Sequence, residues 1–466
     1  MVEIIDIEYN KFLIFTVCIL FFKENRVLNM IILRQSVTLL ILVILFPFCT
    51  SKKVPPVNRK VFIEHKDGRF TLYRNGHPFF IKGASGFTHM ATLHESGGNT
   101  IRVWDTVNLG SILDSAEANH LAVVVGLPFR YADPLSFYHD TSKVQEQYKS
   151  LQQVINKYKH HPALLVWCVG NELYYPFKRR YDDFYRAFGD VVDMIHTEDP
   201  DHPVTTTILN VHGKYIFNVL RKSHVDFISL NVFNRILDMG EEIDHLSWFW
   251  DGPYLLTEWG IDGPWTGTEH TAWGAFIENS STKKAEMYRE RYEKYIRQTD
   301  PRLLGSLVFF WGQKQEYTHT WFSMFDETGN TSESVSAMQY LWTGKYPDHI
   351  PPQVNYMLID KKGAPSSLMY DPAVTMHAEI VLQQPDSNIT HIKWELLPED
   401  WYSVKGEDIK PVKPLPVEGL IKAGPGLTAE VITPSTGGPY RLFAKLYDKF
   451  GNFSTCNVPF YVVKDQ

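Results

Sequence analysis

The sequence predicts an α/β protein: a (β/α)8 barrel, the TIM-barrel architecture, followed by a C-terminal immunoglobulin-like β-sandwich. Eight short apolar runs alternate with helical stretches between residues 79 and 346, the pattern of parallel strands covered on both faces by crossover helices. Their span of about 265 residues is the usual size of a barrel closed by eight such units. From Pro347 the texture shifts to short strand-like runs (Val374 to Leu382, His391 to Leu396, Thr428 to Ile432, Tyr440 to Tyr447 and Val458 to Val463) separated by Pro, Gly, Asn and Asp, as in a sandwich. An open doubly wound sheet is the second choice, but no Gly-rich phosphate loop follows the first strand.

In chain order, residues 1–52 read as a leader. Two apolar segments, Phe12 to Phe22 and Val37 to Phe48, are separated by charged residues; Met30 and Arg34 precede the second, and Cys49 follows it. A basic start, a short apolar core and a cleavage region are the order of a secretion signal. The expected start is Met30, with 1–29 an over-extended reading frame. Cys49 resembles the lipid-attachment cysteine of bacterial lipoproteins, with bulky Phe48 as a departure. This implies a secreted or cell-envelope protein whose membrane contact is an N-terminal lipid or signal anchor. The rival is an anchor helix, for which each segment is short.

Residues 60–78 carry Asp67-Gly68 and Asn75-Gly76 between apolar runs and predict a β-hairpin. Barrel strands are expected at Phe79 to Gly83, Thr100 to Trp104, Ala122 to Leu127, Leu164 to Val169, Val204 to Ile208, Phe227 to Asn231, Leu255 to Glu258 and Ser306 to Trp311. Helices are expected at Leu109 to Ala118, Val144 to Tyr158, Tyr181 to His196 and Lys283 to Gln298. Pro351-Pro352 punctuates the junction to the sandwich over 352–466, where Trp394 is a natural core residue.

With 466 residues and 44% hydrophobic composition, the chain can build one large and one smaller domain. A formal net charge of -7 argues against a nucleic-acid partner, and the longest Lys/Arg run in the body is Lys178-Arg179-Arg180. Two of the four Cys lie in the leader; Cys168 and Cys456 fall in separate predicted domains, so no disulfide framework is expected. No His/Cys/Asp cluster has metal-ligand spacing, so neither metal nor other cofactor is expected.

In this architecture chemistry sits at the C-terminal ends of the strands. Those ends deliver Arg102 and Trp104 from the second strand, Asn171-Glu172 from the fourth, Asn231 and Phe233 from the sixth, Glu258-Trp259 from the seventh and Trp311 from the eighth. A buried strand ending in Asn-Glu needs polar partners there. An isolated Glu in that place more often caps the next helix. A second strand of the same design, Tyr254 to Gly260, supplies a second carboxylate, and a carboxylate pair is what displacement at an acetal carbon requires.

The ordered motifs NGHPFFIKGASG, GGNTIRVWD, HPALLVWCVGNE, LLTEWG and VFFWGQKQ resemble the barrel of glycoside hydrolase clan A, family 2 and its relatives, over most of residues 70–345. The resemblance implies a retaining β-glycosidase acting on an oligo- or polysaccharide. It implies Glu172 as general acid/base, Glu258 as nucleophile, Asn171 on the sugar 2-hydroxyl, Arg102 beside the nucleophile and Trp311 as floor of the sugar site. Asn231 and Trp259 are the further substrate-binding candidates, and Arg102 has a plain structural ion pair as its other reading. Trp265, Trp273 and Trp321 remain open, and His89, His270 and His319 are more often packing or surface residues. Glu258 must be ionised to attack, helped by Arg102, whereas an apolar setting beside Trp167 and the charge of Glu258 would raise the Glu172 pKa.

The sixth strand carries Phe233 where clan members commonly place a Tyr that hydrogen-bonds the nucleophile, so another hydroxyl, such as that of Tyr317, has to substitute or the bond is missing. The N-terminal sugar-binding sandwich of family 2 is also absent ahead of the barrel motifs. NTIRVW and LDSAEANHLAVVV also resemble fungal β-1,3-glucanosyltransferases, which makes transglycosylation the enzymatic rival. A non-catalytic glycan-binding lipoprotein is the rival from another class.

Overall fold

The structure, a computed structural model, describes residues 59–296, 299–399 and 412–463. The leader expected over 1–52, with Met30 and Cys49, lies outside the described residues. The chain first forms an antiparallel sheet of β1 (Val61–Lys66), β2 (Arg69–Arg74) and the short β3 (His77–Pro78). Eight parallel strands then close a barrel: β4 (Ile81–Gly86), β5 (Thr100–Val103), β6 (Ala122–Leu127), β7 (Leu164–Asn171), β8 (Val204–Leu209), β9 (Phe227–Val232), β10 (Tyr254–Trp259) and β11 (Leu303–Trp311). Burial on both faces explains their continuous apolar runs; every residue of β6, β10 and β11 is buried. Helices Leu109–Ala118, Thr141–Tyr158, Asp182–Glu198 and Ser281–Tyr295 stand where the apolar periodicity predicts them. Helices Met90–Glu95, Gly213–Lys222 and Glu333–Thr343 join them.

The hairpin closes the bottom of the barrel. Val61 and Leu72 are buried in one cluster with Ile81, Val124, Val166 and Leu307. Val61 N–H donates to Asp201 O (3.0 Å) and Phe70 N–H to Pro301 O (2.7 Å), in the loops that enter β8 and β11. The opposite end, where the strands finish, is therefore the open one.

The C-terminal region comprises β12 (Val354–Ile359), β13 (Met369–Tyr370), β14 (Thr375–Leu382), β15 (Ile389–Pro398), β16 (Ile421–Ala423), β17 (Thr428–Ile432), β18 (Gly438–Asp448) and β19 (Phe453–Val462). They form two four-stranded sheets, β12-β14-β17-β16 and β13-β19-β18-β15. This is the order of an immunoglobulin-like sandwich, with a short parallel strand added beside the last one. Trp394 is half-buried against its core.

Barrel and sandwich belong to one compact unit, joined by a buried polar node at Glu278. Lys284 pairs with Glu278 Oε1, Thr320 Oγ1 donates to the same oxygen (2.8 Å), and Oε2 accepts from Thr318 Oγ1 (2.7 Å) and from Asn457 Nδ2 in β19 (2.9 Å). Arg441 in β18 donates to Asn457 Oδ1 (2.7 Å) and to Phe276 O (2.7 Å). Burial pushes the Glu278 carboxyl up, and the charges of Lys284 and Arg441 outweigh it, so the group stays below the usual glutamate range. Removing one partner of a buried pair leaves a charge without compensation. Lys284→Met is therefore expected to cost about 3–5 kcal/mol in urea unfolding; a loss under about 1 kcal/mol, the size of a surface pair, would contradict the assignment.

Candidate active site

The end of β7 turns sharply because Gly170 (φ 72°) and Glu172 (φ 51°) both take left-handed backbone conformations. A Cβ at Gly170 would lie 2.4 Å from Leu173 Cδ1, so Leu173 would have to move, and the positive φ itself favours glycine. Glu172 carries its side chain in this conformation at a cost of about 1–2 kcal/mol. Its N–H bond to Thr207 O (3.1 Å) and the donation of Asn231 Nδ2 to its Oε1 (2.7 Å) hold it in place. Strand registers shift between Cys168 and Asn171, between Leu256 and Glu258, and between Phe309 and Trp311. Irregularities of this kind re-aim side chains at strand ends, and here all three fall on strands that deliver the site.

Glu258 is 5% exposed and Arg102 is 0% exposed. Arg102 Nη1 pairs with Glu258 Oε1, its Nη2 donates to Asn171 Oδ1 (2.7 Å), and Trp104 Nε1 donates to Glu258 Oε1 (2.7 Å). The Arg102 guanidinium also lies 5.2 Å from the centroid of the Trp104 ring. Both donors meet Oε1, and no described residue donates to Oε2. Asn231 joins the two carboxylate sites: its Nδ2 donates to Glu172 Oε1 and to Asn171 Oδ1 (3.3 Å), and its Oδ1 accepts from Thr257 Oγ1 (2.9 Å).

Burial pushes the Glu172 carboxyl above the usual glutamate range, and the nearby charge of Glu258 pushes it further. The hydrogen bond from Asn231 and the charge of Arg102 oppose this without cancelling it. One carboxylate is thus held by a cation and an indole, and its neighbour is poised to carry a proton.

The structure brings Arg102, Asn171, Glu172, Asn231 and Glu258 together and sets the two tryptophans apart. Trp311 is fully buried against Phe325 and Trp342, with ring centroids 5.2 and 5.8 Å away, and its Nε1 donates to His89 O (3.1 Å). The register shift before it breaks the alternation that would have turned it inward. Phe309 and Phe310, both 5% exposed, flank Trp104 in its place. Trp259 is also fully buried, against Tyr288 and Tyr292 of helix Ser281–Tyr295, because it alternates with inward-facing Glu258. Neither ring has a face for a sugar. Asn231 and Arg102 are likewise inaccessible, and their polar atoms serve the protein's own carboxylates rather than a substrate. Trp167 does not border Glu172; its indole donates to Asp199 Oδ2 (2.7 Å) beneath the helix layer.

Phe233 packs edge-on against Phe309 (5.5 Å). The donor to Glu258 is the Trp104 indole rather than the Tyr317 hydroxyl, whose ring packs against Phe276 (5.3 Å). Trp104 is at the mouth as the strand ends predict, but its bond to Glu258 was not foreseen; Thr257 is the residue that motif reading missed, and its signal was adjacency to Glu258. Of the open tryptophans, Trp321 is buried and Trp273 packs on Tyr461 of the sandwich (5.7 Å), whereas Trp265 is 49% exposed. Trp265 rests against Phe322 (5.5 Å) and Phe233 (6.1 Å) and lies so close over Gly263 that a Cβ there would meet its ring at 2.4 Å. His89 stacks on Phe325 (4.0 Å), His319 is buried against Phe443 (4.6 Å), and His270 is exposed. No group of three metal-ligating side chains occurs among the described residues.

No protein-family model and no curated protein matches this sequence. Among solved structures the chain is similar to a Bifidobacterium dentium β-glucuronidase complexed with coumarin-3-O-glucuronide, at 15% identity over 62% of this chain and 50% of that one, TM-score 0.47. It is similar to a GH2 β-galacturonidase from Eisenbergiella tayi bound to galacturonate, at 16% identity over 62% of this chain and 55% of that one, TM-score 0.49. It is also similar to an endo-β-1,4-mannanase from Thermotoga petrophila, at 14% identity over 84% of this chain and 99% of that one, TM-score 0.41. The match spans about half the length of the first two.

Selective carboxyl labelling tests the electrostatics directly. In an NMR titration, Glu172 is expected to lose its proton above the range of exposed glutamates, near 4.3. Glu258→Gln is expected to lower that midpoint by removing the neighbouring negative charge. An unchanged midpoint would contradict the coupling.

Proposed function

We propose that this protein is a retaining β-glycosidase working by double displacement, with Glu258 as nucleophile and Glu172 as acid/base. The observation that carries the reading is the asymmetry of the carboxylate pair. Arg102 and Trp104 occupy Glu258 Oε1 and leave Oε2 for attack, while burial and the charge of Glu258 keep Glu172 inclined to hold a proton.

In the first step Glu258 Oε2 bonds to the anomeric carbon as the bond to the leaving oxygen breaks, and Glu172 gives its proton to that oxygen. As the glycosyl ester forms, the negative charge that raises the Glu172 pKa disappears, which favours ionised Glu172. Glu172 then takes a proton from water as the water oxygen attacks the same carbon, releasing the sugar and restoring both groups. Asn171 Oδ1 is held by Arg102 and Asn231, which leaves its Nδ2 as donor for a sugar hydroxyl. Half-exposed Trp265 on its glycine seat is a ring available for stacking. The leader supports the same reading in the cell envelope, with Cys49 as lipid-attachment point.

Water or a sugar hydroxyl can resolve the ester, and mass analysis separates the outcomes, since lengthened products arise only by transfer. Glu258→Gln is expected to abolish turnover of aryl β-glycosides. Glu172→Gln is expected to slow glycosides with poor leaving groups by about 10²–10⁴-fold. Because protonated Glu172 is the active form, kcat/KM should fall as pH rises through its elevated pKa, and Glu172→Gln should lose that alkaline limb. Undiminished activity in Glu258→Gln would refute the assignment.

A further inference from the structure

We infer that the leaving-group side of the mouth is a binding surface for an anionic glycan, one bearing carboxylate or sulfate groups; this rests on the proposed glycosidase reading and names its substrate class. The surface is built by the loops after β6, β7 and β8, which are neighbours in the barrel, with Glu172 on the middle one. In double displacement the leaving group departs toward the acid/base, so whatever follows the cleaved bond lies over these loops.

Two independent features mark the surface. The first is charge. Arg130, Lys178, Arg179 and Lys214 are exposed, and among the described residues no carboxylate lies at ion-pair distance from any of them. Of the acids in the same region, Asp182 pairs with Lys222 (2.9 Å) and also feels the charge of Arg179, Asp183 pairs with Arg186 (2.9 Å), Asp140 pairs with Lys143 (3.3 Å), and Asp133 accepts from the Tyr181 hydroxyl (2.9 Å). In a chain of net charge -7, a local excess of exposed cations concentrates an anionic ligand there.

The second feature is apolar. Tyr174 and Phe177, on the loop that starts at Glu172, are 50% and 66% exposed. They are held by neighbouring rings, Tyr174 edge-on to Tyr215 (5.2 Å) and Phe177 against Phe217 (6.4 Å). Exposed rings set among cations suit a polymer that presents pyranose faces and anionic groups in alternation. A neutral glycan would make no use of the charge of these cations, which water would continue to solvate.

Calorimetric titration of the full chain tests this with three oligosaccharides: hyaluronan, carrying carboxylate only; keratan sulfate, carrying sulfate only; and neutral laminarihexaose. At least one anionic glycan is expected to bind at least about tenfold more tightly than laminarihexaose, a preference that weakens as NaCl rises from about 50 to 300 mM. The variant K178Q/R179Q/K214Q is expected to lose that preference with its thermal unfolding midpoint unchanged. The glycan that binds identifies carboxylate or sulfate as the recognised group. Equal or tighter binding of laminarihexaose, no binding of either anionic glycan, capture by phosphatidylserine vesicles alone, or an unaffected triple variant would each overturn the inference. Binding without turnover of any glycoside would leave it standing and sink the glycosidase reading. Turnover of aryl glycosides with no anionic preference would do the reverse.

Discussion

Arg102 has no solvent exposure, so its charge can exist at the barrel mouth only where other groups replace water around it. Glu258 and Asn171 do so, one at each terminal nitrogen. The pairing fixes more than its two members. It orients Asn171, which with Asn231 sets the position of Glu172, and it brings the guanidinium beside the Trp104 ring whose Nε1 meets the same carboxylate oxygen. Four strands from different parts of the chain are thus tied through one buried cation. The site's chemistry follows from this arrangement, because it distinguishes the two oxygens of Glu258 and the two carboxylates from each other.

The sandwich takes part in building the mouth. Residues 312–332, which follow β11, carry Thr318 and Thr320 to Glu278, and Glu278 is completed by Asn457 of the sandwich. Glu327 in the same segment pairs with Lys445 of β18 (2.6 Å). Lys314 of this segment lies 4.9 Å from the centroid of Phe309 and pairs with Glu316 (2.9 Å), whose charge adds to the upward push on Glu172. Through the segment it helps to hold, the sandwich therefore contributes to the electrostatic setting of Glu172.

The barrel was legible in the sequence because burial on both faces leaves continuous apolar runs, and turn residues mark where they stop. Ala122–Leu127 and Leu109–Ala118 fall where they were expected. Strands β12, β13 and β16 escaped notice because they are short or partly exposed, so neither alternation nor a continuous run marks them. At the site, the charged and amide residues were legible, since a polar group at the end of a buried strand is costly unless it has partners. The two tryptophan assignments failed for different reasons: Trp259 alternates with inward-facing Glu258 and so packs on the helix, and Trp311 follows a register shift. Simple alternation predicts which face Trp311 takes, but a register shift at the strand end changes it, and such a shift has no signature in residue type. Trp104 was placed at the mouth but given no role, because an indole reads as packing until its Nε1 is seen to meet a carboxylate.

The central claim is that Glu258 Oε2 forms the bond to the anomeric carbon. Incubation with an activated 2-deoxy-2-fluoro glycoside, whose ester intermediate is slow to hydrolyse, followed by peptide mass mapping, tests it most directly. The account predicts one sugar added to the peptide containing Tyr254 to Gly260, on Glu258. A label on another residue, or steady turnover of the parent glycoside with inverted configuration and no trapped ester, would contradict it.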